Sequence, residues 1–269
     1  MKRRSKKSRR NPARQVLTGI KILAGVVVLG AALLAASKLY EYAITLPQIQ
    51  LARVTVTGTN QSSPEDIEGI VRACSPECLI LGDLTKIKES VETLPWIAEV
   101  VVKRRLPDTL DILVTERKPV AVAGVDSKLH IVDKQGVILD PFSGQKGLLK
   151  KPIVRGLKNQ LRENADEFNR IRMAKYLEVV EDFTSGPPDY SETISEIDVT
   201  DPGHISIIPR EDPVIIYLGD RSFRERFESF LSRKQLYYKI KKQYGSLQYI
   251  DISFDKQIIF RTEKADITG

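Results

Sequence analysis

Residues 94–121 read LPWIAEVVVKRRLPDTLDILVTERKPVA, and the apolar spacing in this stretch decides the fold. Ala98, Val100 and Val102 stand at alternate positions and point one way, Leu110, Ile112 and Val114 line a second run, and RLPDTL between them carries turn residues. That pattern predicts a half-buried hairpin. Pro119 then ends the second run. Glu116 keeps the register of Leu110, Ile112 and Val114, so a carboxylate is directed toward the buried side as the hairpin ends, either as a frayed strand end or in a charge pairing that fixes the angle between the two domains. Trp96 is expected to be buried where a helix gives way to the first strand.

Working outward, the hairpin is preceded by a strand and two helices. LARVTVTG, residues 51–58, places Val54 and Val56 on one face and stops at Gly58. SSPEDIEGIVRAC opens a helix with Ser63 as N-cap, Pro64 in the first helical position and Glu65 and Asp66 in the first turn, where the helix dipole favours acids. Ile67, Ile70 and Val71 form its apolar stripe. A second helix is capped by Asp83, lined by Leu84, Ile87, Val91 and Leu94, and closed by Pro95. Strand, helix, helix, strand, strand in about 70 residues packs two helices against a three-stranded sheet.

After Pro119 the pattern turns mostly to strands. KLHIVDKQGVIL is a hairpin turning at Lys134 to Gly136, and ETISEIDVT, HISIIP and VIIYLG are short strands. Two helices are expected, Glu163 to Phe183 with Phe168, Ile171, Ala174, Leu177 and Val180 as its stripe, and Arg221 to Tyr244 with Phe223, Phe227, Phe230 and Leu231. The chain closes with a strand in LQYIDISFD, a tight turn at Asp255 and Lys256, and a last strand from Gln257 to Thr262. That strand is apolar on both faces, Ile258 and Phe260 on one and Ile259 on the other. It is either a two-sided buried strand or a sheet edge open to a strand from another chain.

The N-terminus is of another kind. Nine Lys and Arg and no acid fall in the first 21 residues, leaving 33 basic against 35 acidic residues in the rest. The net charge of +7 is therefore the tail's. The body is not a nucleic-acid binder on charge grounds, and the tail, joined to an apolar run, has anionic lipid as its nearer partner. Val16 to Ser37 is long enough for a helix to cross a hydrocarbon core of about 30 Å, with Lys21 snorkelling. A cleaved signal peptide is the rival reading of this segment. The long basic head favours an uncleaved anchor whose tail stays in the cytoplasm.

Candidates for chemistry are few. His130 and His204 stand in strands without a nucleophile or second histidine at motif spacing, and no nucleophile elbow, zincin, Walker or dinucleotide-binding pattern occurs. Glu181 with Asp182, and Glu211 with Asp212, fall at helix ends and turns where solvated charge is expected. Cys74 and Cys78 lack the further ligands zinc needs and form either a disulfide or two thiols. No cofactor is implied and nothing requires an enzyme. A membrane-anchored hydrolase would need a nucleophile or paired carboxylates that the sequence does not offer.

The β-α-α-β-β order matches the small domain called POTRA. With VTVTG, the LPW…V.R..P.TL.I.V.ER.PVA run, LHIVDKQGVIL and YIDISFD, the chain resembles the bacterial cell-division family FtsQ/DivIB over nearly its whole length. The resemblance implies an α+β protein: a cytoplasmic tail (1–15), a transmembrane helix (16–40), a linker (41–50), a POTRA domain (51–119), a mixed β-rich domain with two helices (120–262) and a C-terminal tail (263–269). It also implies a non-catalytic, single-pass inner-membrane protein of the septum, with its C-terminal domains in the periplasm, that binds FtsB, FtsL and other division proteins. FtsB would add a strand along Phe254, Lys256, Gln257, Ile258, Ile259 and Phe260, with Arg226 nearby. After Asp255 the chain departs from the family pattern, which continues with small residues and an aromatic, and the Cys74–Cys78 pair is not part of it. The alternative, a POTRA-bearing export or outer-membrane assembly factor, would call for a run of about ten-residue amphipathic strands after residue 120.

Overall fold

The computed structural model describes residues 12–44, 51–74, 82–144, 147–160, 164–254, 257–262 and 266–268. Helix α1 (Pro12–Ile44) contains a run from Gly19 to Tyr42, 24 residues of mean hydropathy 2.3, exposed along its length. At 1.5 Å per residue it measures about 36 Å, enough to cross a bilayer core. The rest of the chain divides into two compact units, the first formed with residues up to 92 and 99–114, the second with 93–98 and 115–269.

The first unit has the expected order: β1 (Arg53–Thr57), α2 (Pro64–Cys74), α3 (Leu84–Glu92), β2 (Ile97–Arg105) and β3 (Thr109–Glu116). The sheet runs β1-β3-β2, with β1 parallel to β3. Both predicted caps form. The Ser63 hydroxyl accepts from the Asp66 amide at 3.2 Å, and Asp83 Oδ1 accepts from the Thr85 and Lys86 amides at 3.0 and 3.4 Å. Ile67 and Val71 of α2, Ile87 and Val91 of α3, and Val100, Leu110, Ile112 and Val114 of the sheet are buried. Gly58 ends β1 at a positive φ of 93°, where a Cβ would sit 2.1 Å from the Val114 carbonyl oxygen.

Ala98, expected inside, is exposed, whereas Ile97 and Val100 are buried. Alternation starts late in β2 because Ile97 is still engaged in the preceding turn: its amide donates to the Leu94 carbonyl at 3.0 Å. Its own carbonyl accepts from Arg117 Nε at 3.1 Å. Trp96, expected to be buried, is only half-buried.

The second unit is one ten-stranded sheet among the described residues. Its strands are β4 (Pro119–Val125), β5 (Lys128–Asp133), β6 (Ile138–Pro141), β7 (Ile153–Arg155), β8 (Ile194–Asp198), β9 (Ile205–Pro209), β10 (Ile215–Gly219), β11 (Leu247–Asp251), β12 (Ile259–Thr262) and β13 (Asp266–Thr268). They lie in the order β13-β12-β11-β10-β9-β8-β7-β4-β5-β6, with β4–β7, β7–β8 and β10–β11 parallel and the other pairs antiparallel. Helices α4 (Ala165–Thr184), α5 (Phe223–Ser232) and α6 (Lys234–Tyr244) join the strands' apolar side chains in one core.

Three expectations change here. The α4 stripe is rotated: Ala165, Asn169, Met173, Tyr176, Val179 and Phe183 are buried, while Ile171 is 46% exposed and Ala174 is exposed. Polar atoms on that face are satisfied by main chain, which hydrophobic spacing does not register. Asn169 accepts from the Lys158 amide and donates to the Lys158 and Gly136 carbonyls, and the Tyr176 hydroxyl donates to the Pro152 carbonyl at 2.7 Å. The expected helix from Arg221 to Tyr244 is two helices, broken at Arg233 (φ −107°, ψ 18°). Finally, β12 is not the last strand, since β13 comes after it within the expected tail.

Beside Glu116 the structure shows a buried ion pair at the next residue. Glu116 is half-buried, and the buried ion pair belongs to Arg117, whose Nη1 lies 2.8 Å from Asp133 Oδ2. The same nitrogen donates to Gln135 Oε1 at 2.9 Å, and the Arg117 amide donates to the Trp96 carbonyl at 2.8 Å. Asp133 Oδ1 is held in turn by the Gln135 and Val137 amides.

Candidate partner-binding edge

The end of the second sheet is built from residues 247–268. Strand β11 stops because Asp251 folds its carboxylate onto Ser253, accepting from that residue's amide and hydroxyl at 2.9 and 2.6 Å, an Asx turn. The Ile252 amide donates to the Tyr217 carbonyl, and its side chain is buried. Phe254, next in line, is 50% exposed. Lys256 lies outside the described residues.

The chain returns with Gln257 exposed, Ile258 and Phe260 buried at 3% and 1% exposure, and Ile259 half-buried. Alternate side chains of β12 are thus rooted in the core, which fixes the strand's register. One side of β12 pairs antiparallel with β11, with Phe260 opposite Ile250 and Ile259 opposite Asp251. The other side pairs antiparallel with β13: Ile259 with Thr268, Phe260 with Ile267, Arg261 with Asp266. Of the candidates, Ile259 and Phe260 therefore lie on a strand whose outer flank is covered, and β13 forms the margin of the sheet.

Arg226 comes from α5 and reaches the same end. Its side chain is 10% exposed, and Nη1 donates to the Leu218 carbonyl at 2.6 Å, with Asp220 Oδ1 at 4.0 Å. Gly219 makes room for it. At φ 84°, a Cβ there would stand 2.5 Å from Nη1 of Arg226 and 3.0 Å from Cβ of Ser253. Arg226, Phe254, Gln257 and Ile258 line one groove of about 150 Å³ together with Glu225 and Arg233. Four of the candidate residues are thus brought together, and a guanidinium lies beside the N-terminal end of β12.

Cys74 is not part of this site. Cys74 is exposed on α2, its Sγ 3.3 Å from Ser90 Oγ, and Cys78 lies outside the described residues. His204 is exposed with Nδ1 3.1 Å from Asp201 Oδ2, and His130 is half-buried in β5.

Sequence reasoning missed a second feature. Asp212, read as turn charge, lines a cavity of about 580 Å³ together with Tyr190, Val214, Ile216, Phe227 and Phe230. Its carboxylate accepts from the Tyr237 hydroxyl and from Lys241 Nζ, the latter at 2.6 Å. Burial acts to raise the Asp212 pKa, but the hydrogen bonds from Lys241 and Tyr237 together outweigh it and hold the carboxyl below its ordinary range. Burial, aided by the bond to Asp212, pushes Tyr237 up to about 12. The signal in the sequence was slight: Tyr237 and Lys241 share a helix face at i, i+4, far along the chain from Asp212.

Comparison with known proteins gives matches on both units. A family model described as POTRA domain, FtsQ-type matches residues 49–117, and one described as cell division protein FtsQ/DivIB, C-terminal, matches residues 121–253. The chain is similar to the cell division protein FtsQ of Koribacter versatilis, 28% identical over 255 residues that cover 93% of this chain and 71% of that one. It is 24% identical to the FtsQ of a Geobacter species over 224 residues, covering 83% and 80%. With the FtsQ of a Thioalkalivibrio species it shares 34% over 124 residues, 46% of this chain and 50% of the relative.

Proposed function

The chain belongs to the FtsQ/DivIB family of bacterial cell division proteins, and on that premise we propose that it is a non-catalytic scaffold of the septal machinery that binds FtsB and FtsL. The observation that carries the reading is the conjunction of family matches across both units with a sheet end whose strand is rooted in the core by Ile258 and Phe260. A strand rooted in this way, with only three-residue β13 between it and the sheet margin, holds its main-chain donors and acceptors in fixed positions, which suits the addition of a strand from another chain. The groove holding Arg226 beside it suits an acidic side chain on that strand. Helix α1 would anchor the protein in the inner membrane, with the basic tail in the cytoplasm and both units in the periplasm. An export or outer-membrane assembly role is not favoured, because the residues after 120 match the FtsQ/DivIB C-terminal model.

The test is a pull-down of FtsB with the full chain and with a chain lacking residues 257–269. Binding by the first and loss in the second, with the remaining fold intact by circular dichroism, is expected. Equal binding by both would overturn strand addition at this end.

A further inference from the structure

Resting on the strand-addition reading above, we propose that β13 is an internal occupant of the partner's place: the chain covers the outer flank of β12 with its own residues Asp266–Thr268, and a partner strand binds by displacing them. The pairings that β13 makes with Ile259, Phe260 and Arg261 use the flank of β12 that β11 leaves open, the position in which an added strand would lie. The two strands are unequal in what holds them. β12 has Ile258, Phe260 and Thr262 buried at 3%, 1% and 3% exposure, so it is fixed as part of the core. β13 is three residues long, at the short limit for a strand, and pairs with four-residue β12 at the sheet's margin. A short strand on a fixed edge is readily exchanged for a longer one, and while it is docked it also protects the edge from unspecific pairing.

The cover lowers the partner's apparent affinity by the fraction of molecules in which the flank is open. Two or three backbone hydrogen bonds of ordinary net strength, offset in part by the entropy lost in ordering three residues, set that factor at about 5- to 30-fold. Removing the cover therefore strengthens partner binding, whereas removing β12 as well abolishes it.

Two variants of the full chain test this: one ending at Thr262, and the double substitution Asp266→Pro with Ile267→Pro. Consecutive strand residues direct their amides to opposite sides, so one of the two prolines removes a donor facing β12. Amide hydrogen exchange at Ile259–Thr262 reads the cover without any partner, and calorimetry with the soluble segment of FtsB from the same organism reads competition. The expected result is faster exchange in both variants, slowed again by FtsB, with binding about 5- to 30-fold tighter than for the parent. Unchanged exchange, or faster exchange with equal or weaker binding, would overturn the inference and leave strand addition standing. Failure of all three chains, parent included, to bind FtsB would overturn strand addition itself and the inference with it.

Discussion

Replacing Arg117 by alanine should loosen the start of β2 and the β5–β6 turn together. The guanidinium is 19% exposed and Asp133 only 5%, with 2.8 Å between them. The substitution removes the ion pair, the bond to Gln135 and the bond from Nε to the Ile97 carbonyl. Taking one partner from a buried pair costs about 3–5 kcal/mol when the other is left without compensation. Here Asp133 Oδ1 keeps two amide donors and the arginine is partly solvated, so about 2–3 kcal/mol is the reasoned loss. For a unit of this size that lowers the midpoint of thermal unfolding by about 5–10 °C.

Trp96 is the chain's single tryptophan, and its carbonyl accepts from the Arg117 amide, so its emission reports on the same spot. Thermal unfolding monitored by that emission should show the lowered midpoint together with a shift of the folded-state spectrum. Arg117→Lys should recover only part of the loss, since an ammonium cannot span Asp133, Gln135 and Ile97 as the fork does. A midpoint within about 1 °C of the parent, with unchanged emission, would refute the argument that this pair is a net stabiliser.

The second unit offers further tests. Gly219→Ala should displace Arg226 from the Leu218 carbonyl and weaken FtsB binding with little change in overall secondary structure, read by calorimetry and circular dichroism; undiminished binding would remove Arg226 from the proposed site. The Asp212, Tyr237 and Lys241 cluster should confine stability to a pH window. Asp212, lowered in the fold, contributes above its unfolded pKa and loses that contribution as pH falls through the folded value, whereas Tyr237, raised to about 12, contributes below about 10 and loses it as pH rises to about 12. Comparing the parent with Asp212→Asn across pH should show a stability gap at neutral pH that closes in acid, and Tyr237→Phe should flatten the alkaline limb.

Local rules carried much of the fold. The Ser63 and Asp83 caps and the hairpin of residues 94–121 are written in side chains that act on neighbours a few positions away, so reading them needs no knowledge of the rest. What failed depended on distant partners. The buried face of α4 includes Asn169 and Tyr176 because loop carbonyls at Lys158, Gly136 and Pro152 satisfy them, and spacing alone selects Ile171 and Ala174 instead. The Arg117 ion pair was not read from the sequence for a similar reason, as its acid lies on another strand. At the proposed site, Gln257 and Ile258 lie in the apolar run at the chain's end and Phe254 was implied by the family resemblance, but β13, at three residues, carries too little pattern to be read as a strand. Hence the occupied flank of β12 was visible only in the structure.

Docking of a division partner at the end of the second sheet is open to direct capture. A photo-crosslinking residue at Gln257, exposed in the groove with Arg226, should capture FtsB in dividing cells, while the same residue at exposed Lys239 on α6 should not. Crosslinking to FtsB from Lys239 and none from Gln257 would contradict the account.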